Sequence, residues 1–243
     1  VDQNGDGQFD RFGLELNVGI YNGVASFIRE AGGEVLNATR DASRLNETVA
    51  KDAIRFIYEL HQEHKVIPLA EDRNRGMTFQ TGNVGMARTG IWIAAAMRGN
   101  VDFEFDFAVP PAGPTGNRNL QWGSNAWSVM ASSNHKEEAW QLVKFLMTEP
   151  GQVIFADTAL PGIISLARSR ELTDLWPGLN FETVVHGVAN YGHDYYPTSD
   201  WGEWVNAAGQ ALGPVWTGQR PPEQGAELAH EAIMNVFARR ELQ

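Results

Sequence analysis

The chain has 243 residues, 43% of them hydrophobic and 20% charged, an ordinary balance for a globular protein long enough to bury one or two cores. Nineteen Lys and Arg against 30 Asp and Glu leave a formal net charge of -11, which argues against the counterion-displacing contacts of nucleic-acid binding and gives no grip on anionic lipid headgroups. There is no cysteine, so disulfides, zinc–thiolate sites and thiol nucleophiles are excluded together, and no apolar run approaches the length of a membrane span.

Val1 is not an initiator methionine and no basic or apolar leader follows it, so the chain is expected to be the later part of something longer. Residues 2–13, DQNGDGQFDRFG, are rich in turn formers. A strand is predicted over 14–21, then a short helix over 23–31 closed by Gly32 and Gly33. Asn46 is placed to cap a long helix reaching about His64, with Val49, Ala53, Phe56, Ile57 and Leu60 on its apolar face and Pro68 beyond its end. Another helical piece is expected over 75–81. Residues 84–89 read as a strand that turns at Gly90 into an apolar helix over 91–97.

Phe103, Phe105 and Phe107 alternate with Asp102, Glu104 and Asp106, a period-two strand over 103–109 that stops at Pro110. After a loop over 110–119, a further strand is predicted over 127–131. Asn134 and Glu137 have capping-box spacing for a helix carrying Ala139, Val143 and Leu146, and a second helix starts near Pro150. Leu160-Pro161-Gly162 breaks the chain. Helical stretches follow over 181–188, 200–212 and 222–240, the last with a stripe of Leu228, Ala229, Ala232, Ile233, Val236 and Phe237. Strands and helices interleave, so the class is α/β.

Several residues have the chemistry of a ligand site. Trp92 follows the strand-to-helix turn at Gly90, where helix N–H groups point outward; an indole there offers an apolar face to a sugar ring, and a buried core indole is the alternative. The run YGHDYYPTSDWGEW sets Tyr191, Tyr195, Tyr196, Trp201 and Trp204 beside His193, Asp194, Asp200 and Glu203, the mixture of flat platforms and hydrogen-bonding groups that carbohydrate clefts use. One of Trp201 and Trp204 is expected in the core, and the sequence does not choose between them. Trp122, Gly123, Ser124 and Asn125 form a polar junction, read either as cleft lining or as a turn before an edge strand. Asp2, Asn4, Asp6, Gln8 and Asp10 match the first half of a calcium loop, D-x-N-x-D-G, but Gly13 stands where the bidentate Glu belongs; structural calcium or a solvated acidic turn both fit. His61 and His64 read as a solvated helix face. A glycoside hydrolase drawing its acid and base from Asp194, Asp200 and Glu203 is the rival reading, although nothing in the sequence sets such a pair at a defined separation.

Four landmarks in this order resemble the extracellular sugar-class solute-binding proteins of ABC importers, the family of maltose-binding protein. They are DQNGDGQFDRFGLEL; FQTGNVGMARTGIW, similar to F-x-x-G-x-x-x-M-x-x-x-G-x-W; FDFAVPPAGPTG followed by GSNAWSVMASSNHKEEAWQLVKFLMTEPGQ; and TGQRPPEQGAELAHEAI. The resemblance implies a periplasmic-binding-protein-like fold of two α/β lobes with ligand held in the cleft between them. Residues 1–110 and 163–243 would belong to the C-terminal lobe and 120–160 to the N-terminal lobe, the rest of which would precede Val1. The candidate ligand-facing residues are then Gly90, Trp92, Trp122, Ser124, Asn125, Tyr196, Trp201 and Trp204; among them the resemblance implies a sugar-stacking Trp92, a cleft-lining 122–125 crossing and one sugar-contacting tryptophan of Trp201 and Trp204. The partners implied are a mono- or oligosaccharide and the membrane subunits of an importer, at a periplasmic or cell-surface site, with a lipid anchor if the leader carries one. Relatives that take glycerol phosphates would want convergent cations, for which Arg88, Arg98 and Arg118 are candidates. A chain with one wall of the cleft is expected to bind sugar more weakly than the intact protein and to leave Val143, Phe145, Leu146 and Phe155 exposed.

Overall fold

The computed structural model describes residues 1–240 other than Asn4, Asp157 and Tyr195, and the backbone alone of Asn22. β1 (Phe12–Leu16) and β2 (Val84–Arg88) pair in parallel, with Phe12 opposite Val84 and Leu16 opposite Arg88. Parallel partners need a long crossover, here made by a π-helical turn (Ile20–Val24), α1 (Ala25–Glu30), α2 (Thr48–Gln62) and α3 (Ala70–Asn74). Then come α4 (Ile91–Met97), β3 (Leu120–Gln121), α5 (Lys136–Leu146), α6 (Glu149–Val153), α7 (Ile164–Ala167) and α8 (Arg170–Asp174). The chain ends with α9 (Phe181–Tyr191), β4 (Gly192–His193), α10 (Trp201–Trp216) and α11 (Pro222–Phe237).

Contacts divide the chain into two compact units. The first is Val1–Thr89, Pro110–Gln121 and the residues from His193 onward; the second is Gly90–Val109 and Trp122–Gly192. These boundaries differ from the expected segments 1–110, 120–160 and 163–243. The reason lies in the second unit's core, where Trp176 stacks on Phe181 at 5.3 Å and Phe107 meets both rings edge-on. Those contacts join residues 90–109 to 163–192, and Trp176, which donates from Nε1 to the Ala156 carbonyl at 3.3 Å and shares a core with Ala156 and Leu160, ties in 122–160.

In the first unit, α2, α10 and α11 pack together around Ile54, Ile57, Leu212, Val215, Ile233 and Phe237. Each such side chain, fully buried, contributes about 1.5–3 kcal/mol. Helical periodicity sets which residues turn inward. On α2 they are Ala50, Ala53, Ile54, Ile57 and His61. The expected face was rotated too far: Val49 and Phe56 are exposed.

Other expectations also shift. The first strand ends at Leu16 because its partner ends at Arg88, and the chain then doubles back so tightly that a Cβ on Gly23 would collide with the Asn17 carbonyl. Residues 75–81 form turns, and the helix lies just before them, at Ala70–Asn74, where the Asp72 carboxylate accepts the Leu69 N–H at 2.9 Å. The segments 103–109 and 127–131 make no strand ladder among the described residues. Even so, 102–109 keeps its period of two, with phenylalanines half-buried and acidic residues exposed. The cap of α5 is His135, one residue after the expected Asn134, and it makes no side-chain cap bond. No helix among the described residues is long and apolar enough to cross a membrane.

Candidate functional site

α10 presents two stripes, because residues four apart stack on one face of a helix. Trp204, Ala208, Leu212 and Val215 point into the first unit's core. Trp201, Val205 and Gly209, with Asn206 and Gln210 beside them, line a pocket of about 470 Å³. The lining is completed by Gly19, Ile20 and Tyr21 at the π-helical turn. π-helical turns are rare and occur frequently at functional sites. The Tyr21 and Trp201 rings meet edge to face, with centroids 5.0 Å apart and planes at 82°. Trp201 Nε1–H is buried without an acceptor among the described residues, an unmet donor beside the pocket. No charged side chain lines this space among the described residues. Two aromatic rings with two amides suit a neutral ligand that has apolar faces and hydroxyl edges.

The structure separates the two tryptophans that the sequence left equivalent. Trp204 is 2% exposed and donates from Nε1 to Thr198 Oγ1 at 2.9 Å. It is core. Tyr196 is also core, at 7% exposure, a correction to the expectation that it faces ligand. Its hydroxyl donates to the Glu34 carboxylate and accepts from Arg29 Nε and the Val35 N–H, each at 3.0 Å. A phenol has one proton and two lone pairs, so no capacity remains for a ligand. Burial pushes this hydroxyl's pKa well above its usual value. Tyr195 lies outside the described residues. Tyr21, Asn206 and Gln210 were missed because Tyr21 read as the end of a strand and is 180 positions from Trp201; the turn residues Asn17, Gly19 and Gly23 were the available signal that the chain bends there.

The remaining expected residues belong to the second unit. Trp92 is 54% exposed, and its ring lies back over Gly90 so closely that any Cβ at 90 would overlap it. Gly90 is thus required by the indole's position. α4 spans seven residues and its first position carries no side-chain cap. Trp122 is 45% exposed and packs on Gly192, where a Cβ would come within 3.0 Å of the indole. Ser124 and Asn125 are exposed on a stretch without regular secondary structure.

Every carboxylate of the rival hydrolase is tied to an arginine. Asp194 pairs with Arg40 at 3.0 Å, Glu203 with Arg239 at 3.2 Å, and Asp200 holds Arg240 through two bonds of 2.5 and 2.6 Å. Arg240 keeps the Asp200 carboxyl below the usual carboxylate range, the opposite of what a general acid needs. The phosphate-binding candidates are engaged as well: Arg88 grips Glu30 through both amino groups, while Arg98 and Arg118 donate to the Leu175 and Pro110 carbonyls.

In the N-terminal loop, Asp2 accepts the Gly5 and Gly7 N–H groups, Asp6 that of Gln8 and Asp10 that of Gln3. Asn4 lies outside the described residues. Among the described ones, no group of three or more His, Asp or Glu could hold a metal ion. His61 is not on a solvated face as expected: it is buried against Trp216, neither ring nitrogen has a partner among the described residues, and desolvation depresses its pKa to about 4.

The sequence profile of the bacterial extracellular solute-binding proteins matches residues 13–177, well over half of the chain. The chain belongs to this family. A binding protein of Brucella abortus is 22% identical over 157 residues, which are 60% of this chain and 35% of that protein. Among solved structures, an ABC substrate-binding protein of Listeria monocytogenes in complex with cycloalternan superposes with a TM-score of 0.80 at 18% identity, over 96% of this chain and 60% of that one. The maltose/maltodextrin-binding domain of Bdellovibrio bacteriovorus bound to maltotriose gives 0.77 at 26% identity, over 98% and 63%. UgpB of Mycobacterium tuberculosis, in complex with glycerophosphocholine, gives 0.74 at 13% identity. The fold is therefore that of periplasmic-binding-protein-like solute-binding proteins, of which this chain carries part: it spans about 60% of the length of these structural neighbours.

Proposed function

We propose that this solute-binding protein holds a neutral mono- or oligosaccharide in the first unit's pocket, on the Tyr21–Trp201 wall, and delivers it outside the cytoplasm to the membrane subunits of an ABC importer. The observation that carries the reading is the wall itself: two rings in edge-to-face contact, two amides four residues apart along one edge of the Trp201–Val205–Gly209 stripe, and no charged side chain among the described residues that line the space. Sugar C–H faces pack on the rings, while hydroxyls exchange hydrogen bonds with the Asn206 and Gln210 amides. Maltotriose in the Bdellovibrio relative and cycloalternan in the Listeria relative are consistent ligands. Exposed Trp92 and Trp122, with Ser124 and Asn125, are proposed as saccharide-facing groups of the second unit in their own right. The protein acts by binding without turnover. The test is a titration with maltotriose, glucose and glycerophosphocholine, followed by tryptophan emission and calorimetry, alongside a chromogenic glycoside. Saturable sugar binding without hydrolysis supports the reading; preference for glycerophosphocholine, or turnover of the glycoside, refutes it.

A further inference from the structure

Gly209 stands in the middle of α10, a 16-residue helix, where glycine is the poorest helix former after proline. The fold gives it no reason to be there. A Cβ at 209 would meet nothing within 4 Å, and its φ is not in the left-handed region. Glycine therefore serves neither close packing nor a special backbone conformation at this position. What it does is bare the helix backbone on the pocket wall, flanked by the Asn206 and Gln210 amides and facing the cavity that Tyr21 and Trp201 share. Five residues further along, Pro214 has no N–H to offer the Gln210 carbonyl, so the usual helix bond at that position is lacking. α10 also carries Gly202, Gly213 and Pro214, but of these helix-weakening residues Gly209 alone lines the pocket, and a local rule broken at a pocket wall is the pattern expected of a functional position.

We infer that Gly209 is the specificity-determining position of the pocket: the missing side chain admits a saccharide ring edge against the α10 backbone, where its hydroxyls reach the neighbouring Asn206 and Gln210 amides. This rests on the saccharide reading above. The size of residue 209 then sets which rings the pocket accepts. Gly213 supplies the control, because it sits on the same helix with the same empty space around its Cβ but does not line the pocket.

The experiment titrates the 243-residue chain and its Gly209→Ala, Gly209→Leu and Gly213→Ala variants with maltotriose, reading the Trp201 indole N–H resonance by NMR, and follows urea unfolding of each. Both alanine variants are expected to raise the unfolding midpoint, since each removes a helix glycine. Only the 209 variants lose affinity: Gly209→Ala measurably and Gly209→Leu by about tenfold or more, the scale set by one misplaced aliphatic group in a pocket. Should Gly209→Leu not fold, Gly209→Ala decides alone. A parent chain that binds while both 209 variants bind equally well overturns this inference and leaves the saccharide site standing. A parent chain whose Trp201 resonance does not move at any maltotriose concentration refutes the functional reading, and the inference with it.

Discussion

Tyr196→Phe removes one oxygen and leaves the ring in its place, which makes its cost calculable. Arg29 lies over that ring with its guanidinium carbon 4.3 Å from the centroid, and this contact survives the change. Three hydrogen bonds do not. The Val35 N–H, on a fully buried residue, loses its acceptor at 3.0 Å and has no other among the described residues. A stranded buried donor costs about 1–3 kcal/mol. Arg29 loses its bond to the same oxygen but keeps Glu34 at 3.1 Å and the Asp194 carbonyl at 2.9 Å, so its loss is partial. Glu34 is partly exposed and rehydrates. The sum is about 2–3 kcal/mol, a large share of a domain's stability. Urea unfolding followed by far-UV circular dichroism measures it, and hydrogen exchange at the Val35 amide localises it. A loss below about 0.5 kcal/mol, or weakened sugar binding with unchanged stability, would refute the assignment of Tyr196 to the core.

Further outcomes follow from the same geometry. His61 is neutral in the fold, with a pKa of about 4 against 6.5 when solvated, so its contribution is complete above pH 6.5 and is lost as pH falls through that window, by about 3 kcal/mol in all. A parallel stability–pH series on His61→Leu should lack this component; matching slopes would show that His61 is solvated. Gly90→Ala forces the Trp92 ring off its turn and should alter tryptophan emission, whereas unchanged emission would mean the ring does not lie there. Asp200→Asn breaks the two-bond pair to Arg240, a mostly buried contact, and should cost about 1–3 kcal/mol without reducing sugar affinity. Excess chelator should leave the melting temperature unchanged, since the Asp2, Asp6 and Asp10 carboxylates already accept backbone N–H groups; a large drop would reveal structural calcium.

Much of the fold was legible because helices announce themselves locally. The stripe through Ala229, Ile233, Val236 and Phe237 on α11 is buried as its spacing required, and the Val84–Arg88 strand turns into α4 at Gly90. Strand pairing was not legible, since a ladder depends on a partner distant in sequence. Phe103, Phe105 and Phe107 carry a strand's alternation without a ladder among the described residues. Of Val143, Phe145, Leu146 and Phe155, expected to be exposed, the two phenylalanines are, while Val143 and Leu146 are half-buried. The site was half legible. Composition marked 191–204 as aromatic and polar, yet which indole faces the pocket depends on the phase of α10 against α2 and α11, and Tyr21 reaches Trp201 only through the tertiary fold.

The most direct test of the account is a maltotriose titration of the chain, read at the Trp201 indole N–H signal, with calorimetric affinities for its Trp201→Ala, Trp204→Phe and Tyr21→Ala variants. The account predicts a saturable shift of the Trp201 resonance in the parent chain and binding retained in Trp204→Phe. Losing either wall ring should weaken affinity by about 1–3 kcal/mol, through lost stacking and apolar contact. Full affinity in Trp201→Ala, or binding abolished by Trp204→Phe in a folded protein, would contradict it.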